Sequence, residues 1–322
     1  MEYRTLGRTG LRVSVAGLGT GGASKLGQSA GLSASESHRI VRTALNLGIN
    51  VFDTSPGYGA SEELLGGALA GVPRDRYVLA TKFQPGWDRL GEDPQALTRS
   101  LENSLRRLRV EAVDVLQYHG VKPHEYRTVV ERFHPVVLRA QQAGKVRFLG
   151  ITATAAGDPE NEMLPMALED DLFDCIMVKF GILNQSARRK VFPMALQRNV
   201  GVFVMASVRQ SLRKPSEAVA RINGFIDEGL LAIPRPSLDD PLGLARPGEP
   251  VPSLTRAAYQ FAAESEAVST VLIGTGGVDH LKTNVADILG PRSQRRSPPT
   301  SSGHTATCAG TPESERRSPR PW

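Results

Sequence analysis

The feature that most constrains the fold of this chain is a regular alternation of short apolar segments with longer amphipathic ones. Eight apolar segments have the length and composition of buried β-strands, and a helical pattern follows each of them. Strands that alternate with helices form βαβ units and a parallel sheet. We therefore predict an α/β fold, a (β/α)8 TIM barrel, with strands near residues 15–18, 51–53, 78–81, 113–118, 148–152, 175–178, 201–206 and 271–274.

The amphipathic segments carry their apolar side chains at helical spacing. In the segment 94–108, Leu97, Leu101, Leu105 and Leu108 fall on one face of a helix. An N-terminal β-hairpin is predicted from residues 3–6 and 11–13, on either side of a glycine-containing turn. Helices are predicted near residues 36–47, 61–69, 94–108, 126–143, 161–169, 188–198, 254–264 and 279–289.

Polar side chains occur repeatedly where these strands end. Asp53, Lys82 and His119 each close an apolar run, and Tyr58 follows in the turn after Asp53. In a (β/α)8 barrel the chemistry is located at the C-terminal ends of the strands. A nearby ammonium favours the phenolate form of a tyrosine, so Lys82 is expected to lower the pKa of Tyr58, and Asp53 to hold Lys82. His119 could orient a carbonyl, and the set describes a proton donor for carbonyl reduction.

Each of these residues also has a purely structural explanation when it is taken alone. Asp53 could cap a turn, Tyr58 could be a surface aromatic, Lys82 a solvated charge, and His119 a satisfied core histidine. Their order and spacing as a set favour the chemical interpretation. No cluster of His, Cys, Asp and Glu has the spacing of metal ligands, so we predict no metal site.

Seven short segments resemble the aldo-keto reductase family. They are residues 4–11 (RTLGRTGL), 17–21 (GLGTG), 48–54 (GINVFDT) running on to Tyr58 and Gly59, 61–66 (SEELLG), 80–82 (ATK), 100–108 (SLENSLRRL) and 144–150 (GKVRFLG). The resemblance extends over roughly residues 2–290. It implies a barrel whose bottom is crossed by the hairpin, with Tyr58 as general acid, Lys82 and Asp53 tuning it, and His119 positioning the carbonyl.

The resemblance also implies a nicotinamide cofactor that is bound without a GxGxxG loop. Glycine-rich residues 17–21 and 274–277 follow predicted strands, and the second group leads into a helix, whose N-terminus is a natural phosphate site. We predict NADPH as the cofactor, with NADH possible. The cofactor-binding residues implied are Gly19, Thr20, Thr152, Met205, Ser207, Arg209, Leu212, Gly274, Thr275, Gly276, His280 and Asn284.

Several of these positions depart from the family pattern. The Ser-Asn pair and the Gln that commonly hold the carboxamide are replaced by Thr152, Ala153 and Met177, and the stacking aromatic by Met205. Gly274 and His280 stand where a Lys and an Arg often clamp the 2′-phosphate. A weaker preference for NADPH over NADH is therefore expected.

Composition restricts the cellular context and the partners. The chain has 322 residues and two cysteines, Cys175 and Cys308, which argues against a disulfide framework and for a reducing compartment. We see no signal peptide and no membrane span, and predict a cytoplasmic protein. The net charge of +6 lies mostly in residues 291–322, with six Arg and two Glu, so a nucleic-acid surface on the rest of the chain is not expected.

Two segments fall outside the repeating pattern. Residues 207–252 form a long excursion after the seventh strand, with one helix near 215–228, and in the family this region folds over the cofactor. Residues 291–322 contain no Val, Ile, Leu, Met, Phe or Tyr, and we predict a disordered tail. The predicted domains are therefore a barrel at 1–290 and a tail at 291–322.

The function predicted from the sequence is that of an enzyme. It is the reduction of an aldehyde or ketone to an alcohol by hydride from NAD(P)H, with Tyr58 as the general acid. The alternative is a cofactor-binding regulatory protein that keeps the barrel but turns over poorly, as the replaced carboxamide contacts would allow. The substrate and the oligomeric state are left open.

Overall fold

A computed structural model describes residues 1–85, 93–154, 158–208, 212–245 and 251–291. Within them, eight parallel strands close into a barrel in the order β10-β3-β4-β5-β6-β7-β8-β9. The predicted barrel is thus confirmed. The strands of the barrel are β3 (Ala16–Gly19), β4 (Val51–Asp53), β5 (Val78–Phe83), β6 (Val113–Val121), β7 (Val146–Ala153), β8 (Cys175–Lys179), β9 (Gly201–Met205) and β10 (Thr270–Gly274).

Apolar side chains from alternate strand positions fill the barrel interior. Val51, Val78, Val115, Met177 and Phe203 belong to one buried cluster inside it. Because side chains alternate between the two faces of a strand, the residues two positions further along face the same interior nearer the C-terminal end. That end is the mouth of the barrel, and it receives polar residues instead.

The helices pack outside the barrel with their apolar faces inward. In α3 the four predicted leucines are buried, and α1 begins at a capping box formed by Ser33 and Glu36. The predicted helices are confirmed, with bounds that differ by up to three residues. They are α1 (Ala34–Asn46), α2 (Ser61–Leu69), α3 (Gln95–Leu108), α4 (Tyr126–Gln142), α5 (Met163–Asp170), α6 (Val191–Gln197), α7 (Pro215–Asp227), α8 (Leu254–Ala263) and α9 (Val278–Leu289).

The predicted hairpin, β1 (Tyr3–Thr5) and β2 (Arg12–Ser14), closes the N-terminal end of the barrel. Leu6 is fully buried in the interior cluster. Gly7 has a φ of +48°, and a Cβ on it would lie 2.2 Å from the backbone nitrogen of Gly201. The close contact requires a glycine, and it leaves the opposite end of the barrel as the open one.

The excursion after β9 contains α7 as predicted, followed by irregular chain up to residue 245. The predicted tail lies outside the described residues, apart from residue 291, and the division into domains stays a prediction. In the described part of the chain, no helix is long and apolar enough to cross a membrane.

Candidate active site

Three of the four predicted catalytic residues lie near the C-terminal ends of neighbouring strands. Asp53 ends β4, Lys82 is the penultimate residue of β5, and His119 lies in the last third of β6. Tyr58 lies in the loop that follows β4. Because β4, β5 and β6 are adjacent, the structure brings the four side chains together on one side of the mouth. We call this set the catalytic wall.

A buried ion pair forms the base of the catalytic wall. Lys82 Nζ donates to Asp53 Oδ1 at 2.5 Å and to the carbonyl of Thr54 at 2.8 Å. The second carboxylate oxygen of Asp53 accepts from Gln117 Nε2 at 3.0 Å. Gln117 was missed by the sequence reasoning, although it lies two residues before His119 and therefore faces the same interior. Both charges are thus held in fixed positions by partners from the chain itself.

Burial and charge shift the pKa of each member of this pair in opposite directions. Burial raises the pKa of Asp53, and Lys82 and Gln117 only partly offset it. Burial alone would lower the pKa of Lys82, but the neighbouring Asp53 and Tyr58 outweigh it and raise that pKa. Lys82 therefore stays an ammonium at neutral pH.

Tyr58 lies against Lys82, with the ammonium nitrogen 5.0 Å from the centre of the phenol ring. Burial raises the pKa of Tyr58, Lys82 opposes that, and Asp53 adds to it. Lys82 thus lowers this pKa as predicted, but the net direction is upward. The reason is that desolvation of the phenolate exceeds the attraction of a single ammonium that Asp53 already compensates. Tyr58 is accordingly a neutral phenol at neutral pH, the form that can donate a proton.

His119 completes the wall beside the phenol. Its Nε2 lies 3.4 Å from the Tyr58 hydroxyl, and the two rings are nearly perpendicular with centres 5.7 Å apart. Burial, assisted by the charge of Lys82, lowers the pKa of His119 to about 3. The imidazole is therefore neutral, and one of its nitrogens can donate a hydrogen bond without carrying charge.

Ser55 lies on the other side of the His119 ring. Its Oγ is 3.5 Å from Nδ1 and accepts from the backbone N–H of Gly57 at 3.2 Å. If the Ser55 hydroxyl donates to Nδ1, the ring proton is on Nε2, the nitrogen that faces the Tyr58 hydroxyl. The two donors then lie 3.4 Å apart, close enough for both to reach one carbonyl oxygen.

The loop that carries Tyr58 is tied to the segment after β3. The amide of Gln28 donates to the Tyr58 carbonyl and to Ser61 Oγ, and its oxygen accepts from the Ala60 N–H at 2.9 Å. A Cβ on Gly21 would lie 2.5 Å from Cε2 of Tyr58. Gly21 lies inside the glycine-rich motif noted in the sequence, but that motif alone did not indicate contact with the phenol.

The predicted cofactor residues at the ends of β3, β9 and β10 lie side by side, because these strands are neighbours in the barrel. Gly274 pairs with Gly19. The hydroxyls of Thr20 and Ser207 are buried and have no hydrogen-bond partner among the described residues. A buried hydroxyl of this kind fits a ligand that supplies the missing partner. Gly19, Thr20, Ser207 and residues 274–284 are called the cofactor wall below.

The turn from β10 into α9 is open to a ligand. A Cβ on Gly274 or Gly277 would meet no atom within 4 Å, and Gly277, the N-cap residue of α9, gives the helix no side-chain cap. The uncapped N–H groups of a twelve-residue helix suit a phosphate. His280 is exposed on the first turn and Asn284 is buried one turn later. These residues fit a dinucleotide with a phosphate at the helix N-terminus.

The remaining predicted cofactor residues differ in their burial and in their contacts. Thr152 is buried near the end of β7, where its Oγ1 accepts from the Gly120 N–H at 2.8 Å. Met205 ends β9 beside Lys179 of β8. The Leu212 side chain is buried in an apolar cluster with Ala218 and Ala258, so only its backbone is available to a cofactor. Thr275 is buried and Gly276 lies against Ser24, while Arg209 lies outside the described residues.

Among the residues that the structure describes, no group of three or more His, Cys, Asp and Glu side chains could hold a metal ion. Cys175 is buried with a free thiol, and Cys308 lies outside the described part of the chain.

The chain was compared with protein families, with curated proteins and with solved structures. The sequence pattern of the Aldo/keto reductase family matches residues 17–290. L-galactose dehydrogenase of Arabidopsis thaliana is 30% identical over 89% of this chain and 88% of its own. Pyridoxal 4-dehydrogenase of Microbacterium luteolum is 28% identical over 88% and 92%. An aldo-keto reductase of Bacillus halodurans, solved in its holo form, superposes with a TM-score of 0.69 at 23% identity and covers 91% of this chain and 93% of its own.

Proposed function

The chain belongs to the aldo-keto reductase family of oxidoreductases, and from this premise we propose that it interconverts a carbonyl and an alcohol with NAD(P)H, using Tyr58 as the proton donor. The observation that carries the proposal is the geometry of the catalytic wall. A neutral phenol and a neutral imidazole lie 3.4 Å apart beside a buried ammonium. The substrate is a small molecule with an aldehyde or ketone group.

When bound, the cofactor supplies the hydride for reduction, or accepts one in the reverse direction. The chain's own residues do the rest of the work. His119 donates a hydrogen bond to the carbonyl oxygen and orients it toward Tyr58. Tyr58 then transfers its proton to that oxygen as negative charge develops there. Lys82 stabilises the phenolate that remains, and Asp53 with Gln117 keeps Lys82 in place.

Support for the cofactor assignment comes from the cofactor wall. The orphan hydroxyls of Thr20 and Ser207 and the open helix N-terminus at Gly277 suit the polar parts of a dinucleotide. Gly274 and His280 provide no permanent cation for a 2′-phosphate. We propose NADPH as the cofactor with NADH also accepted.

The names of the two relatives favour a second candidate, oxidation of a cyclic hemiacetal. One is named as a dehydrogenase of L-galactose and the other of pyridoxal. An aldose in its ring form carries a hemiacetal hydroxyl, and loss of a hydride from carbon and a proton from oxygen gives a lactone. Tyr58 would accept that proton as a phenolate, the form that Lys82 stabilises, so oxidation should be favoured at alkaline pH and reduction at neutral pH.

The test uses the purified full chain with a panel of aldehydes and either NADPH or NADH, and with aldoses and either NADP⁺ or NAD⁺. Tyr58→Phe removes the proton donor but keeps the ring, so turnover should fall by at least about 10²-fold while cofactor binding is unchanged. Tyr3→Phe is the matched control, because its hydroxyl donates to Gly48 at the bottom of the barrel. Near-normal turnover of Tyr58→Phe would refute the assigned role. Cofactor binding with no turnover of any substrate in the wild type would favour the regulatory alternative.

A further inference from the structure

A large cavity lies beside the barrel mouth, and its lining contains none of the residues assigned to catalysis or cofactor binding. It has a volume of about 890 Å³. Its walls are the loop after β8, helix α7 and the chain segment 231–243. Cavities of about 300–1,000 Å³ are typical of small-molecule sites. We call it the lateral cavity.

The interior of the lateral cavity is apolar. Ile182 and Leu183 form the wall on the β8 side, and the buried Ile222 and Phe225 form the wall on α7. Ile233 lies on the third wall and is 50% exposed. A large aliphatic side chain that is exposed next to a cavity can contact a ligand that enters it. The body of a fitting ligand is therefore apolar.

The charged residues of the lining are three arginines and one aspartate. Arg188 stacks on Phe180 and Phe261, with its guanidinium carbon 5.3 and 4.7 Å from the ring centres. Arg189 and Arg235 are half-exposed and pair with Glu160 and Asp227, which are not part of the lining. A guanidinium has five N–H donors, so one ion pair leaves others for a ligand.

The carboxylate in the lining, that of Asp240, is hydrogen-bonded to the backbone. Both oxygens of Asp240 accept from backbone N–H groups, those of Leu244 and Ala245, at 2.7 and 2.8 Å. The lining itself thus carries three cationic side chains and one anionic one, and the acidic partners of Arg189 and Arg235 lie outside it. This polarity excludes the chain's own C-terminal segment as the occupant, because residues 291–322 carry six Arg and two Glu and almost no large apolar side chains.

From the apolar walls and the arginine rim we infer that the lateral cavity binds an amphipathic organic anion, an apolar body that carries one carboxylate. Burial of the apolar body provides most of the affinity. The half-exposed arginines contribute less, since water and salt screen their attraction, but they select an anion over a neutral or cationic analogue. None of the lining residues belongs to the catalytic wall or the cofactor wall, so the inference does not depend on the proposed reaction.

The experiment is calorimetric titration of the full chain with decanoate, 1-decanol and decylammonium. The two ions are kept below their micellar concentrations and 1-decanol below its solubility limit. Decanoate should bind at one site, about tenfold more tightly than 1-decanol, and decylammonium should bind most weakly. The titration is repeated in saturating NADPH, which should leave decanoate binding unchanged. Absence of decanoate binding, equal binding of decylammonium, or displacement by NADPH would overturn the inference.

Two variants locate the site. Ile222→Trp fills the cavity and should weaken decanoate binding at least tenfold. Ile233→Asp puts a carboxylate on an exposed position at the rim, where folding is not at risk. It should weaken decanoate much more than 1-decanol. If decanoate binds to Ile233→Asp as tightly as to the wild type, the anion is bound elsewhere and the inference fails, whatever the folding of Ile222→Trp.

Discussion

The catalytic wall and the cofactor wall are formed by strand ends of one barrel, yet the ion pair of the first and the buried hydroxyls of the second are satisfied in different ways. In the catalytic wall, Lys82 donates to Asp53 and Thr54, and the carboxylate also accepts from Gln117. In the cofactor wall, the buried hydroxyls of Thr20 and Ser207 have no partner among the described residues. The ion pair beside Tyr58 therefore has its partners within the chain, whereas the hydroxyls of the cofactor wall are free to hydrogen-bond to a ligand.

This difference predicts two kinds of mutational effect. Substitutions in the catalytic wall should change turnover, and stability where they break the ion pair, while cofactor affinity stays constant. Substitutions in the cofactor wall should change affinity and the choice between NADPH and NADH, while the fold and the chemical step are retained.

Lys82→Met should have the largest effect. It removes the ammonium beside Tyr58, and we expect turnover to fall by about 10²–10³-fold. It also leaves Asp53 buried without its ionic partner, which should cost about 3–5 kcal/mol of folding free energy. Steady-state kinetics and urea unfolding measure the two losses.

The control for Lys82→Met is Lys145→Met. Lys145 pairs with Glu102, but both side chains are about 40% exposed, so its loss should cost at most about 1 kcal/mol and no activity. The double variant Asp53→Asn/Lys82→Met should regain much of the stability without regaining turnover. If the single Lys82→Met variant is as stable as the wild type, the buried pair does not have the role given to it here.

Gly21→Ala should have the next largest effect. The added Cβ would lie 2.5 Å from the Tyr58 ring, so the ring or the backbone of Gly21 must shift. A displacement of about 1 Å can cost about 10²-fold in rate, so kcat should fall by up to that factor while cofactor binding is retained. Gly57→Ala is the matched control in the Tyr58 loop, since its Cβ would meet nothing closer than 3.7 Å. Equal kcat values for the two variants would show that Gly21 does not position the phenol.

The fold and the catalytic wall could be predicted from sequence because both follow from local periodicity. Apolar runs located the eight barrel strands, and the C-terminal end of each strand located Asp53, Lys82 and His119. Gln117 could have been found in the same way, since it shares the parity of His119 along β6. The pattern of neighbouring residues along the chain is therefore enough to locate these residues.

Other features depend on distances across the fold and could not be predicted in that way. The direction of the Tyr58 pKa shift is set by how far the phenol is withdrawn from water, which residue order does not reveal. The contacts of Gln28 with the Tyr58 loop join positions about thirty residues apart. The side chain of Leu212, a residue that the family resemblance assigns to the cofactor, packs in an apolar cluster with Ala218 and with Ala258, which is distant from it along the chain.

In the cofactor wall, His280→Arg should raise the preference for NADPH over NADH. The side chain is exposed on the first turn of α9, where a guanidinium can reach a phosphate near the helix N-terminus. One charge-assisted contact is worth about 1.5 kcal/mol, or about tenfold in the ratio of dissociation constants. Fluorescence titration with both cofactors measures that ratio. His124→Arg adds the same charge on an exposed position before α4 and should leave the ratio unchanged, and a similar rise in both variants would attribute the effect to net charge alone.

The smallest expected effect is that of pH on the rate of reduction. His119 has a pKa lowered to about 3, because burial and the charge of Lys82 disfavour the imidazolium. It therefore stays neutral as the pH falls through the ordinary histidine range near 6.5, and kcat should be flat between about pH 5 and 8. On the alkaline side, kcat should fall only when the Tyr58 phenol ionises, and its raised pKa delays that loss relative to a free tyrosine. A kcat–pH profile for one aldehyde in saturating NADPH tests both the flat region and the alkaline fall. An acidic limb with an inflection near pH 6.5 that disappears in His119→Gln would show that His119 must change charge during the reaction, and that the neutral donor assigned to it is wrong.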